Sequence, residues 1–504
     1  MRKIVSIVSL AALSACSMAP TYVRPEPPIP ASWPSGSPYL RQSEAGLPKV
    51  TYRQVFRDPG LQRLIEQALV NNRDLRQAAA NIASARAQYR IQRADRLPGV
   101  DASAGATFRG GDGASAAGGN QGTGSGAGNG GATAGADEYY TAQAGVNAFE
   151  IDLFGRVKSL SDAALNQYFA TAAGARATRL TLVGDIATAW LNHAADMSLL
   201  KIARQTVESA QKSVDLTRAR LEGGVAPRTD LRQAQTILAQ AQADLASSRT
   251  AVAQDVNLLR LLVGGPVDEA ALPDSIDVAV QRLNEVPPGL DSSILLRRPD
   301  VVQAEYQLRA QNAQIGAARA AFFPRITLTG LVGFASTALG NLFDDDGFSW
   351  SVAPSATVPI FDGGANAANL AQAKADRDAA LANYEGTIQT AFREVADALA
   401  RRGTITEQVQ ATRDLVTASQ DNYDLSYARY RGGIESFLQS LDARRSLYSA
   451  QRNLVATVLE KGTNLVNLYR VLGGDSMLDA TDAGPQPVVG DPGPATLPAA
   501  SSND

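Results

Sequence analysis

The residues able to do chemistry are few in this chain, and they point away from catalysis. Cys16 is the only cysteine and His193 the only histidine. One cysteine admits no intramolecular disulfide. One histidine provides neither a histidine metal cluster nor a triad with a spare. His193 sits beside Trp190 on a helical run and is expected to be a packed residue. No phosphate-cradling loop, metal-ligand spacing or nucleophile elbow occurs. No catalytic residue, metal or cofactor is therefore expected. Lys+Arg 47 against Asp+Glu 50 leaves a net charge of -3, without the basic patch that nucleic acid demands.

Cys16 has another use. Arg2 and Lys3 precede an apolar run from Ile4 to Ala15, and Leu13-Ser14-Ala15 leads directly into Cys16. The run is too short to span a bilayer, which takes about 20 residues. A charged start, a short apolar run and small residues at its end make a secretory signal. Residues 1–15 are expected to be removed and Cys16 to carry a lipid. Ser17, rather than an aspartate, follows Cys16, which under the bacterial sorting rule directs a lipoprotein to the outer membrane. A single lipidated residue anchors only modestly, so firm residence requires more.

The elements that would position any site repeat. Gly223-Gly224 matches Gly432-Gly433, Ala234, Leu238, Gln242 and Leu245 match Ala443, Leu447, Gln451 and Leu454, and Gly264-Gly265 matches Gly473-Gly474, all without gaps. Earlier in the unit, Asp74 matches Asp300, Ala87-Gln88 matches Ala313-Gln314, and Pro98 matches Pro324. Leu153-Phe154 then matches Ile360-Phe361 at a shorter spacing. The first copy therefore holds extra residues between Pro98 and Phe154, where 110–135 is a Gly/Ala/Ser/Asn run. The expected organisation is an N-terminal segment at 16–60, a first repeat at 61–265 and a linker at 266–296. A second repeat at 297–474 and a tail at 475–504 follow. Each repeat reads helix, strand, loop, strand, long helix, turn, helix. The tail is rich in Pro, Ala and Gly and is expected to be ordered only in part or not at all.

Strict alternation predicts strands at about 99–110 and 139–153, and again at about 325–336 and 348–361. Val100, Ala102, Ala104, Ala106 and Phe108 share one face, and Phe348, Trp350, Val352, Ala356 and Val358 another. The phase slips at Phe149, where a bulge or strand end is expected. The pattern suits membrane-barrel strands and any half-buried antiparallel sheet. Four strands cannot close a barrel, and an open sheet edge in lipid is not viable. If the strands enter a membrane, several chains must share one barrel.

No proline interrupts Arg156 to Ala226 or Ile360 to Gly484. Leu200, Ala203, Val207, Ala210, Val214, Thr217 and Leu221 alternate spacings of three and four, a narrow alanine-rich coiled-coil seam. A helix of about 65–70 residues would extend roughly 100 Å at its 1.5 Å rise. Gly223-Gly224-Val225 and Gly432-Gly433-Ile434 stop the long helices as hairpin tips. Arg297-Arg298-Pro299-Asp300 reads as a helix start, with proline and an acid in the first turn.

Several of these stretches carry a family resemblance. They are the lipobox at Cys16, Leu295-Leu296-Arg297-Arg298-Pro299-Asp300, Pro359-Ile360-Phe361-Asp362-Gly363-Gly364, Ala428-Arg429-Tyr430-Arg431-Gly432-Gly433 and Leu441-Asp442-Ala443-Arg444. In order and spacing, over roughly residues 16–475, the chain resembles the outer-membrane factor (TolC-like) family. Within it the chain resembles the NodT-type lipoprotein branch of resistance-nodulation-division efflux systems. The resemblance implies a mainly α fold with a β-barrel segment. Three chains, each giving four transmembrane strands, would form a 12-strand barrel above a long periplasmic coiled-coil α-barrel. It implies a homotrimer in the outer membrane that conducts substrates passively, working with a periplasmic adaptor and an inner-membrane pump. Adaptor contact would fall on Gly223, Gly224, Val225, Gly432, Gly433 and Ile434 at the tips. Closure of the aperture would fall on Asp421 and Asp424, with Tyr423, Tyr427 and Arg429 nearby, where rings of carboxylates set ion preference. A solvated helix face accounts for the same acids, and Asp215 is the repeat partner of Asp424. A duct for protein or metal-ion export, or a structural periplasmic coiled-coil lipoprotein, would share many of these features.

Overall fold

The computed structural model describes residues 18–39, 51–109, 137–284 and 291–488. Cys16, the signal region before it, and the glycine-rich 110–135 lie outside the described residues. Among those described, the helices are α1 (Tyr52–Val55), α2 (Pro59–Asn71), α3 (Arg73–Ala94), α4 (Arg156–Glu222), α5 (Arg228–Val263), α6 (Ile276–Gln281), α7 (Pro299–Ala320), α8 (Ala365–Arg431) and α9 (Phe437–Val471). The strands are β1 (Val100–Arg109), β2 (Asp137–Glu150), β3 (Arg325–Ser336), β4 (Phe348–Thr357), β5 (Leu478–Thr481) and β6 (Gly484–Pro487). The long helices α4 and α8 are 67 residues each, and α5 and α9 are 36 and 35. Matching lengths at matching places are what a duplicated unit produces.

The chain folds as two compact units. One gathers the described residues of Met1–Tyr22, Arg86–Leu165 and Arg309–Asp378 around an antiparallel sheet in the order β1-β2-β3-β4. Its register decides its chemistry. Ala102 pairs with Ala144, Ala144 with Val332, and Val332 with Trp350. Side chains directly opposite one another share a face. One face therefore carries Ala102, Ala144, Val332 and Trp350, and the other carries Ser103, Gln143, Gly333 and Ser349. The apolar face is uncovered: Phe108, Val332, Phe348, Trp350 and Val352 are all exposed. Between Val146 and Phe149 the pairing shifts by one residue, and Ala148 adopts φ 50°. That bulge is the physical cause of the phase slip read at Phe149.

Where β2 and β3 leave the sheet, Glu150 gathers two cations. Arg156 approaches it to 2.7 Å and Arg325 to 2.6 Å. Phe154 stacks on Phe323 with ring centroids 4.8 Å apart. After β4, the Asp362 carboxylate accepts from the backbone N–H of Gly364 and Asn366, at 2.9 and 2.8 Å, and starts α8. Those two bonds hold the Asp362 carboxyl below its ordinary range.

The other unit, Val23–Ala85, Asn166–Leu308 and Ala379–Asp504, is helical and holds the main core. Tyr52, Phe56, Ile65, Ile186, Trp190, Leu191, Leu259, Ile276 and Tyr469 are buried together. Each such side chain contributes about 1.5–3 kcal/mol when removed from water. Asp58 caps α2 by accepting from the Leu61 N–H at 2.9 Å. Pro299 opens α7 with Asp300 in its first turn. Arg298, just before, is buried and spans Asp300 at 2.7 Å, Glu394 at 3.0 Å and the Val471 carbonyl at 3.0 Å. The motif therefore ties α7 to α8 and α9 as well as starting a helix.

One segment differs from its sequence reading. Within 266–296, read as a linker, the described residues include packed structure: α6 puts Ile276 and Ala279 into the core, and Leu283 bridges to Phe56. Part of the tail, 475–488, is among the described residues. Asp475, Ser476, Met477 and Leu478 are buried, and β5 and β6 form a hairpin. Arg179 reaches Asp475 at 3.3 Å, the Tyr469 hydroxyl donates to it at 2.8 Å, and the Tyr306 hydroxyl donates to the Thr481 carbonyl at 2.7 Å. Burial, together with the Asp475 charge, raises the Tyr469 hydroxyl well above its ordinary value, so it remains a donor.

Candidate functional site: the helix tips and the aromatic-acidic face of α8

Both tips are built the same way. Gly224 has φ 71° and Gly433 φ 73°, a conformation that glycine adopts without steric cost. The Val225 N–H donates back to the Arg220 carbonyl at 2.9 Å and the Gly224 N–H to Leu221 at 3.0 Å. Ile434 repeats this with Arg429 at 2.9 Å and Gly433 with Tyr430 at 3.0 Å. These paired bonds use up the last helical carbonyls. The residue after each left-handed glycine, Val225 or Ile434, is then left apolar and exposed.

The tips are joined to each other. Arg220 donates to the Tyr430 carbonyl at 2.9 Å, and its guanidinium lies 4.9 Å from the Tyr430 ring centroid. Tyr430 packs with Phe437, Val214, Ala234 and Leu441 in a small separate core. Arg429, the repeat partner of Arg220, turns instead to Glu435 of its own tip at 2.6 Å. The two copies have thus diverged in use: one arginine spans the tips, the other closes one.

On α8, Tyr423 and Tyr427 stack with centroids 5.8 Å apart. The Tyr423 hydroxyl meets Ser209 Oγ of α4 at 3.2 Å. Buried Arg444 of α9 donates to the Thr206 carbonyl at 2.6 Å and to Ser213 Oγ at 3.3 Å, with Tyr423 6.0 Å away. Burial lowers the Arg444 guanidinium from its ordinary value, and the neighbouring tyrosines oppose that. Asp421 and Asp424 are exposed. Asp424 accepts from Gln420 one turn earlier, at 3.0 and 3.1 Å. The structure thus brings Tyr423 and Tyr427 together and leaves both acids facing solvent on one chain. It sends Arg429 to the tip rather than to the acids. Ser209, Arg220 and Arg444 were not singled out as site residues. Arg220 and Arg444 stand in the repeated and family stretches, which was the available signal; Ser209 carried none.

A second polar place lies where α4, α5 and α9 meet. A cavity of about 510 Å³ is lined by Asn192, Asp196, Asp255, Tyr448, Arg452 and Asn453, among others. Burial and the neighbouring Asp196 carboxylate push the Asp255 carboxyl up to about 7. A carboxyl raised in the fold binds its proton more tightly there than in the unfolded chain. Stability should therefore fall as pH rises from the unfolded carboxylate range toward about 7. Asp255→Asn is expected to flatten that dependence and raise the thermal midpoint at pH 8. A variant melting with the parent's pH profile would remove Asp255 as its source. His193 is buried among core residues, and burial lowers its imidazole from the ordinary value.

Comparison with known proteins agrees with this architecture. The family model described as outer membrane efflux protein matches residues 64–265 and 290–474. The probable efflux pump outer membrane protein TtgC of Pseudomonas putida is 43% identical over 475 residues, covering 93% of this chain and 95% of that one. A crystal structure of a membrane protein from Pseudomonas aeruginosa superimposes with TM-score 0.81 at 41% identity, covering 91% of this chain and 100% of that one. The open state of the MtrE outer membrane channel of Neisseria gonorrhoeae gives TM-score 0.77 at 34% identity, covering 91% and 98%. Two-lobed matching to one family model, near full-length relatives and a shared fold leave one conclusion: the chain belongs to the outer membrane efflux protein family.

Proposed function

We propose that this protein is the outer-membrane channel of a tripartite efflux pump, acting as a homotrimer and without a catalytic site. The observation that carries the reading is the four-stranded sheet. Its apolar face is uncovered, and its β1 and β4 edges have no strand partner among the described residues. Lipid covers such a face, and only neighbouring copies can satisfy such edges. A structural periplasmic rod has no use for an exposed apolar sheet, which disfavours that reading. Three chains of four strands make the barrel, and lipid on Cys16 adds a second anchor.

The duct moves nothing by itself. An inner-membrane pump of the resistance-nodulation-division class supplies the energy, and a periplasmic adaptor delivers substrate by docking on the tips. Val225 and Ile434 offer that adaptor two exposed apolar contacts per chain. At rest, symmetry brings three copies of Asp421 and Asp424 together and narrows the aperture. The Tyr423–Ser209 and Arg444–Thr206 contacts hold α8 and α9 against α4 within each chain.

The direct test is to purify the mature lipoprotein in detergent, measure its mass, and record single-channel currents in planar bilayers. A trimer with small resting conductance supports the duct; a monomer without current overturns it. Replacing Asp421 and Asp424 together by alanine is expected to enlarge resting conductance several-fold and weaken cation preference. Unchanged conductance would sink the gate assignment and leave the duct standing.

A further inference from the structure

In the helical unit, α4 and α9 each bury one face and leave the other open. On α4, Val183, Ile186, Ala187 and Trp190 enter the core beside residues of α2 and α6. At 3.6 residues per turn, Thr181, Asp185 and Thr188 fall on the opposite side of that helix. On α9, Val458, Leu465, Val466 and Tyr469 enter the same core, and Glu460, Asn464 and Asn467 fall opposite. On this second side lies a cavity of about 480 Å³ between α4, α8 and α9. Asp185, Asp397, Arg401, Glu460, Asn464 and Arg470 are among its lining residues.

Most of these charges are already matched. Arg401 holds Glu460 at 2.5 Å, and Arg393 lies 3.7 Å from Asp397. Two groups are not. Asn464 is 7% exposed, and its amide N–H donates to the Ala398 carbonyl at 3.1 Å. That bond fixes the amide, and Asn464 Oδ1 has no partner among the described residues. A buried acceptor without a donor is costly. The second group is Asp185. Partial desolvation raises its carboxyl above the ordinary value, and the pull of Arg470 does not cancel this.

We infer that this cavity binds the ammonium group of an organic amine, held by the Asp185 carboxylate and Asn464 Oδ1. An ammonium brings one positive charge and three N–H donors, so one group serves both the carboxylate and the orphaned oxygen. Among the described residues no three acidic, histidine or cysteine side chains are grouped to hold a metal ion, which favours a cation with several donors over a bare ion. If the chain is a duct, the side away from the core faces the passage, and the cavity is then a transit site. Such a site must be favourable enough to enter and weak enough to leave.

The passage role rests on the duct reading, and the test separates site from duct. The full-length mature lipoprotein in detergent is titrated calorimetrically with spermidine as the probe, and the same samples are recorded in planar bilayers. Asp185 is exposed, so Asp185→Asn leaves the core intact. Loss of a hydrogen bond to a charged group should weaken spermidine binding about tenfold. Asp414→Asn removes an equal charge from an exposed position farther along α8, about 20 Å from Arg401 by helical rise, and should bind like the parent. A parent that does not bind spermidine overturns the site. So does an Asp185→Asn variant that binds like the parent, or an Asp414→Asn variant that loses as much. In those cases currents in bilayers would leave the duct standing. Binding that depends on Asp185 without any current upholds the site and overturns the duct.

Discussion

Replacing Val352 by lysine is expected to abolish assembly in the outer membrane. Val352 sits mid-strand on β4 and is 61% exposed on the apolar face, opposite Gly330. A lysine facing lipid near the bilayer midplane costs about 2–4 kcal/mol, and a trimer bears it three times. The neighbouring residue supplies the control. Ser351 points to the other face, so Ser351→Lys should assemble like the parent. The readout is the fraction of protein recovered as trimer from purified outer membranes. Equal recovery of the two variants would mean that this sheet face does not meet lipid, and the assignment of barrel inside and outside would fall.

Asp475→Ala should be the most destabilising single exchange in the helical unit. Asp475 is buried with Arg179 at 3.3 Å and accepts from Tyr469 at 2.8 Å. Removing the carboxylate takes a charge partner from a buried guanidinium and an acceptor from a buried hydroxyl. Breaking such a pair costs about 3–5 kcal/mol, a drop in thermal midpoint on the order of 10 °C. Asp475→Asn keeps an acceptor for Tyr469 and should fall between variant and parent. Melting within a degree or two of the parent would show that the pair is neutral in sum and that neighbouring groups hold Arg179.

Much of this protein was legible because duplication and strict alternation leave traces that need no tertiary knowledge. The apolar set from Val100 to Phe108 coincides with β1, and the phase slip at Phe149 coincides with the bulge in β2. The paired glycines mark the tips because only their backbone conformation ends both long helices in the same way. Other parts depended on contacts across the chain that periodicity cannot encode. The stretch 266–296 carries turn-forming residues, yet Ile276 and Leu283 enter the core. Arg429 looked like a companion of Asp421 and Asp424 because it lies nearby in sequence. Its partner, Glu435, lies across a tight turn whose geometry decides the pairing. The acids Asp421 and Asp424 face solvent on the single chain, where Asp424 accepts from Gln420 one turn earlier.

The terminal hairpin also bears on when this chain can finish folding. A protein crossing a membrane through a secretion channel emerges N-terminus first and must stay unfolded on the way. Here Arg179 and Tyr306 emerge well before their partners Asp475 and Thr481. The contacts that α4 and α7 make with this hairpin therefore form only after Thr481 has been delivered. A chain truncated after Gly474 should accumulate as protease-sensitive material in the periplasm. If it instead matured at the parental rate, late closure would have no part in export.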